Sequence, residues 1–212
     1  MFTVQCDFDD TIVTENIAKS LLDTFASREW HLIEDLYLSG EITVEESNRR
    51  EFALLNVTNQ VMREHVLEIA KLRSGFPEFV EHCTRKGLNF NVVSNGVDLY
   101  IEPVLCNQLL PAVQLHSAHG KITESGILVS YLGPDGIECQ DAFKLAWLRY
   151  FKSQGQRVIY VGDGNSDIGA AMEADYVIAR DSLEDHFRSA GLSYCWFDNF
   201  YDVRQAIDSI LI

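Results

Sequence analysis

Apolar positions along the chain fall into two textures. In the first third they recur at helical spacing: Ile17, Leu21, Leu22 and Phe25 share one face, and Trp30, Ile33, Leu36 and Tyr37 repeat it before a break at Ser39-Gly40. Thr43 followed by Glu46 has capping-box spacing and predicts another helix start. Val61, Val66 and Ile69 predict a further helix reaching about Leu72. Beyond that point short apolar runs alternate with amphipathic helices. Phe76–Lys86 is a helix closed by Gly87, Leu88–Val93 a buried strand, Phe143–Ser153 a helix closed near Gly155, and Val158–Val161 a strand followed by a helix from about Ser166. Tyr176–Ala179 and Tyr194–Phe197 repeat the strand signal, and Met1–Cys6 supplies it at the start. The glycine-rich stretch from about 120 to 140 predicts a β-hairpin excursion.

Strands alternating with helices imply right-handed crossovers, hence an α/β fold: a Rossmann-like parallel sheet with helices on both faces. The helical block interrupts that pattern just after its first strand. It therefore reads as an insertion, with residues 1–13 and 73–212 forming the α/β core and residues 14–72 an α-helical cap. Ligands bind at the carboxyl edge of such sheets, and an insertion leaving from the first strand would hang over that edge.

Charge and cysteine content narrow the partners. Thirty-two acids against 17 Lys and Arg give a formal charge of −15, which argues against nucleic acid and against an anionic membrane surface. No apolar run approaches the ~20 residues needed to span a bilayer, and Asp7, Asp9 and Asp10 interrupt any signal-peptide pattern. Five scattered cysteines without a CxxC pair read as reduced, buried thiols of a cytoplasmic protein.

Four polar clusters carry candidate chemistry. Asp7-Phe8-Asp9-Asp10-Thr11 follows the first strand. Two carboxylates one residue apart can bind Mg²⁺ and leave an oxygen to attack phosphorus, or can form an acid-rich turn. Ser94-Asn95-Gly96 follows Val92-Val93 and reads as a neutral anion cradle or a plain turn. Lys144 opens a helix, where a solvated role is the common one. Gly162-Asp163-Gly164-Asn165-Ser166-Asp167 suits a metal ligand with its support, or an Asx turn entering a helix.

Taken in order, Asp-x-Asp-x-Thr, strand-Ser, Lys, and strand-Gly-Asp-x-x-x-Asp resemble the haloacid dehalogenase superfamily over essentially the whole chain. The resemblance implies a Mg²⁺-dependent phosphatase, monomeric or homodimeric, acting on a small phosphorylated metabolite. It implies Asp7 as nucleophile and Asp9 as general acid and base. Asp10, Thr11, Ser94, Asn95, Gly96 and Lys144 would surround the phosphoryl group, and Asp7, Asp9, Asp163 and Asp167 the metal. A helical cap at this place is similar to the phosphoserine phosphatase group. There the stretch matching Gly40–Glu51 ends in an arginine that grips the substrate carboxylate, where this chain has Glu51 with Arg50 beside it. The acid for the serine amine falls on Asn16, next to Glu15. Phe25-Ala26 with Glu29-Trp30, Arg73-x-Gly75-Phe76-x-Glu78-Phe79-Val80, Ser166 and Ala179-Arg180-Asp181 look closer to the phosphatases of methionine salvage, although only Cys139 stands for their cysteine-rich stretch. Glu15, Asn16, Arg49 and Arg50 are then the candidate selectors in the cap, with Phe25 and Trp30 as its core. Two other classes compete. A phospho-acceptor receiver domain shares the fold type, but is much shorter and keeps its acidic pair adjacent. A regulatory protein that lost catalysis would have no reason to keep all the chemical positions.

Overall fold

The computed structural model describes residues 1–107 and 113–211. Among the described residues seven strands form one sheet: β1 (Phe2–Cys6), β2 (Asn89–Val97), β3 (Gln114–Thr123), β4 (Gly126–Ser130), β5 (Arg157–Gly162), β6 (Tyr176–Ala179) and β7 (Cys195–Trp196), in the order β4-β3-β2-β1-β5-β6-β7. All neighbours run parallel except β3 and β4. The chain starts in the middle of the sheet, with β2 on one side of β1 and β5 on the other. That puts the switch in strand order, and the crevice it opens, at the end of β1.

The two faces are built differently. Val4 and Phe90 point to one face, where Phe90 meets Phe76 and Phe79 of α5 (Phe76–Lys86) and these meet Phe200 of α10 (Phe200–Ile210). The alternate positions, Thr3, Gln5 and Asn91, face α7 (Phe143–Ser153). They are buried but polar: Asn91 donates to Thr3 Oγ1 at 2.9 Å, and Gln5 donates to the Lys144 carbonyl at 2.8 Å. That second bond fixes the start of α7 to the central strand.

Four helices stand between β1 and α5: α1 (Ile17–Phe25), α2 (Trp30–Leu38), α3 (Val44–Phe52) and α4 (Asn59–Ile69). The segment leaves and returns at one place. Val13 bridges Leu72, Thr14 donates to the Lys71 carbonyl at 2.9 Å, and the Arg73 amide donates to the Ile12 carbonyl at 2.7 Å. Asn16, Thr43 and Thr58 each cap the helix that follows them. The capping box expected at Thr43 is only half made, because the Glu46 side chain turns to Arg50 at 2.6 Å.

Three further expectations need correction. The hairpin begins earlier than expected: β3 starts at Gln114 and first pairs with β2, joining the main sheet before it turns to β4. The helix expected from Ser166 is a 3-10 turn (Asn165–Asp167) running into the single-turn α8 (Ile168–Ala171). The cysteines are free, but Cys106 and Cys195 are exposed and Cys139 is half-buried, so only Cys6 and Cys83 fit the buried reading. α6 (Asp98–Asn107) was not legible because Pro103 lies inside it, and α9 (Asp181–Ser189) completes the core.

Candidate active site

The ends of β1, β2 and β5 converge with the start of α7 on a cavity of about 260 Å³, closed on its far side by α1, α2 and α3. Asp7 lies at its floor. Its amide donates to the Val161 carbonyl at 2.9 Å, so the hydrogen bonding of β1 to β5 continues into the loop and fixes the side chain's origin. Lys144 is 3% exposed and reaches three acceptors: Asp7 Oδ2 at 2.8 Å, Asp167 Oδ1 at 2.6 Å and Ser166 Oγ at 3.1 Å. Burial works against its charge, but Asp167 and Asp7 outweigh burial and hold its pKa above the usual lysine range. The solvated reading of this lysine does not apply.

Asp167 has no exposed surface and accepts four hydrogen bonds. Lys144 and Tyr160 meet Oδ1, both at 2.6 Å, and the amides of Asp163 and Gly164 meet Oδ2 at 3.0 and 2.9 Å. Four donors use the lone pairs of a carboxylate. Asp167 therefore buttresses the turn and the lysine, leaving Asp7 and Asp163 as the acids available to a cation. The acidic oxygens of Asp7, Asp163 and Asp167 lie within 4.8 Å of one another. Burial and then Asp167 push Asp7 up to about 7, against the opposing pull of Lys144; burial, Asp167 and Asp7 push Asp163 up as well. Crowded, buried, hard oxygen donors with too little positive charge fit a divalent cation such as Mg²⁺.

Asp9 does not join that cluster. Its Oδ2 accepts from the Tyr100 hydroxyl at 2.5 Å and its Oδ1 from the Ile17 amide at 2.8 Å, so it spans from β1 to the first turn of α1. Burial lifts it to about 6, over the opposing hydrogen bonds from Tyr100 and Ile17. As a metal ligand through its side chain, Asp9 is in the wrong place. Thr11 also differs from expectation: it is buried and donates to Asp163 Oδ1, so it orients the acid and does not line the cavity. Asp10 does line it, in a left-handed conformation (φ 57°), with its side chain held by Asn16 at 2.7 Å and its carbonyl by Arg73.

Ser94, Asn95 and Gly96 all line the cavity. They sit inside β2, where its pairing with β3 slips between Val93 and Val97, not after the strand. The Gly96 amide donates to Ser94 Oγ at 3.0 Å. A Cβ on Gly96 would lie 1.9 Å from the Tyr100 hydroxyl, so only glycine lets Tyr100 reach Asp9.

Sequence motifs of the haloacid dehalogenase-like hydrolases match residues 4–172. The chain belongs to that family. Across its full length it is 30% identical to a 2-hydroxy-3-keto-5-methylthiopentenyl-1-phosphate phosphatase of Bacillus cereus strain 03BB102, covering 98% of this chain and 96% of the relative. The enzyme of the same name from Bacillus pumilus strain SAFR-032 is 28% identical, covering 98% and 91%. Among solved structures, a phospho-aspartyl intermediate analogue of phosphoserine phosphatase superposes with a TM-score of 0.69 at 18% identity, over 98% of each chain. The fold is thus that of a haloacid dehalogenase-like phosphatase, and the chain is a phosphatase. No helix among the described residues is long and apolar enough to cross a membrane.

The side of the cavity formed by α1, α2 and α3 departs most from expectation. Of the four candidate selectors only Asn16 lines it. Glu15 is exposed, 4.0 Å from Lys71. Arg50 lies outside, paired with Glu46. Arg49 turns to the core and donates to the carbonyls of Cys139 and Gln140 at 2.7 and 3.2 Å. Consecutive helix positions differ by about 100°, and that rotation takes residues 49 and 50 away from the cavity while presenting Ser47 and Glu51. The cavity wall is made instead by Leu22, Trp30, Tyr37, Leu38 and Val44, with Ser47, Asn48, Glu51 and the Lys19–Glu34 pair (2.6 Å) as its polar groups. Spacing exposed the apolar stripe of α1 and α2, but nothing in the sequence separated stripe residues that fill the cap from those that face a ligand.

Proposed function

We propose that this phosphatase hydrolyses a small phosphomonoester through an aspartyl-phosphate on Asp7. The Asp7 carboxylate attacks phosphorus, the bond to the ester oxygen breaks, and protonated Asp9 gives its proton to that leaving oxygen. Water then attacks the phosphorus of the acyl phosphate, Asp9 takes the water's proton, and the Asp7 carboxylate leaves inorganic phosphate. Ser94, Asn95 and Gly96 hold the transferring group together with Lys144. Asp7 and Asp163 would hold Mg²⁺, whose charge would offset the spread of negative charge over the phosphoryl oxygens. Asp167 and Thr11 keep the lysine and Asp163 in place.

The observation that carries this reading is the separation of two carboxylates only two residues apart. Asp7 lies among Lys144, Asp163 and Asp167, while Asp9 lies apart with Tyr100 and is lifted to about 6. Paired acids whose surroundings differ this way take different roles, here nucleophile and proton carrier. For the substrate, we favour a methionine-salvage type ketose phosphate over phosphoserine. The two Bacillus relatives named above support it, and so does a cavity with no arginine among its described lining residues to grip a carboxylate. The test is turnover of 2-hydroxy-3-keto-5-methylthiopentenyl-1-phosphate, phosphoserine and p-nitrophenyl phosphate, with and without Mg²⁺. A higher kcat/KM for the first, dependent on Mg²⁺, is the expected result. Preference for phosphoserine would overturn the substrate reading, and full activity in excess chelator the metal reading.

A further inference from the structure

The core-facing stripe of α3 is as specific as the catalytic loop. Glu45, Asn48, Arg49 and Phe52 fall at positions i, i+3, i+4 and i+7, and the first three bond to the core. Glu45 is 2% exposed; its Oε1 accepts from Asn95 Nδ2 at 3.1 Å and from the Phe143 amide at 2.9 Å. Asn48 Nδ2 donates at 2.8 Å to both the Asn95 carbonyl and the Tyr131 hydroxyl, and that hydroxyl donates to the same carbonyl, again at 2.8 Å. Arg49 donates to the Cys139 and Gln140 carbonyls and lies over the Tyr131 ring. The seat is close: a Cβ on Gly126 would lie 2.0 Å from the Ala53 carbonyl oxygen just past the end of α3.

Two of these contacts end on the phosphate-handling parts. Asn95 is held at both its side chain and its carbonyl, so the cap holds the middle residue of the Ser94–Gly96 triplet from two directions. Phe143 is the first residue of α7, and Lys144 is the next. The residue before that helix, Ala142, has no side chain able to cap it and adopts φ 54°. The first amides of a helix need acceptors and favour negative charge. Glu45 supplies that acceptor from another element.

We propose that Glu45 is a positioning residue through which the docked cap completes the phosphoryl site: it sets Asn95 and the start of the Lys144 helix at once. The inserted helices then bring substrate contacts through Val44, Ser47 and Glu51, and make the catalytic end competent through Glu45. A cap lifted from the core would leave Asn95 and the Phe143 amide without these partners.

The inference rests on Ser94–Gly96 being the phosphate cradle, so Ser94→Ala is measured beside the Glu45 variants. The readout is the competitive inhibition constant for inorganic phosphate, together with kcat/KM for two esters of different size. Glu45→Ala should weaken phosphate roughly 10-fold or more, since two buried donors lose their acceptor. It should lower kcat/KM for p-nitrophenyl phosphate and the larger substrate by the same factor. Glu45→Gln keeps an oxygen that accepts both bonds and should stay within about 3-fold of the wild type. Should Glu45→Ala fail to fold, Glu45→Asp withdraws the carboxylate by one methylene, and its phosphate constant decides in the same way. Phosphate binding unchanged in the Glu45 variant but weakened in Ser94→Ala would overturn the role of Glu45 alone. Unchanged binding in Ser94→Ala would overturn the cradle itself. A Gln variant as weak as the Ala variant would show that charge, not hydrogen-bonded placement, is what Glu45 provides, and would also overturn the proposal.

Discussion

The floor and the roof of the cavity solve opposite problems. On the floor, buried charges are bound into a closed network: Lys144 has three acceptors, Asp167 four donors, and Arg73 reaches the carbonyls of Asp10, Thr11 and Asp198. The roof is loosely furnished. Of α2 only Trp30 is buried, Leu32 and Leu38 are exposed, and among the described residues the Glu51 carboxylate accepts one hydrogen bond, from Ser47 at 3.0 Å. Chemistry on a phosphoryl group depends on fixed placement of charge, and a network in which removing one partner strands another resists drift. Under the proposed function, recognition of the rest of the substrate would need only shape and a few polar contacts, so the cavity-facing residues of the roof could vary without disturbing the floor. The stripe of Glu45, Asn48 and Arg49 is where the two meet.

Substitutions on either side should behave differently, and the largest contrast is at Asp7. Asp7→Asn keeps the shape but removes the proposed nucleophile, and turnover of every phosphoester should fall by about three orders of magnitude or more. Steady-state assays with two unrelated esters check this, and more than a few per cent of residual turnover would remove Asp7 from its role. Asp9→Asn should cost about 10²–10⁴-fold, and more for an alkyl phosphate than for p-nitrophenyl phosphate, whose leaving group needs no proton. Equal losses on the two esters would break the assignment of Asp9 as proton carrier.

On the roof the effects should be smaller and selective. Glu51→Gln or Trp30→Ala should raise KM for the cognate ester roughly 10-fold while changing p-nitrophenyl phosphate turnover little, because remote contacts serve only a substrate that reaches them. Arg50→Ala, outside the cavity, should change neither ester. If Arg50→Ala matched Glu51→Gln, the cavity wall described above would be wrong.

The smallest effect lies away from the site. His116 stacks on Trp147 with ring centroids 3.7 Å apart, and burial holds it down at about 4 against the usual 6.5. Below about pH 6.5 the unfolded chain takes up a proton that the folded chain refuses. Stability should therefore fall as pH drops from about 6.5 to about 4, by about 1–2 kcal/mol from this group. Thermal unfolding of His116→Gln across that range should show a flatter profile than the wild type. Unchanged slopes would mean that the ring is solvated.

What the chain determines by itself is the alternation of elements and the places where they stop. The limits of Phe76–Lys86, Phe143–Ser153 and Tyr176–Ala179 follow from apolar periodicity and from glycines such as Gly87, which takes φ 65° at the end of its helix. Asp7, Asp9 and Asp163 stood out because each closely follows a short apolar strand, and Ser94 was read the same way although it lies inside β2; Lys144, on a helix, stood out only through the family resemblance. Tertiary structure alone decided which contacts those residues make. Asp9 leaves the acidic cluster because Tyr100 and the start of α1 hold it, Asp167 spends its oxygens on four donors, and Thr11 serves Asp163. Tertiary structure also chose Glu51 over Arg50 and gave Glu45 and Arg49 to the core, since the rotation of one helix about its axis is set by what packs against it. Local pattern reports which face is apolar. It carries no record of partners 50 or 98 residues away, the separations across which Glu45 reaches Asn95 and Phe143.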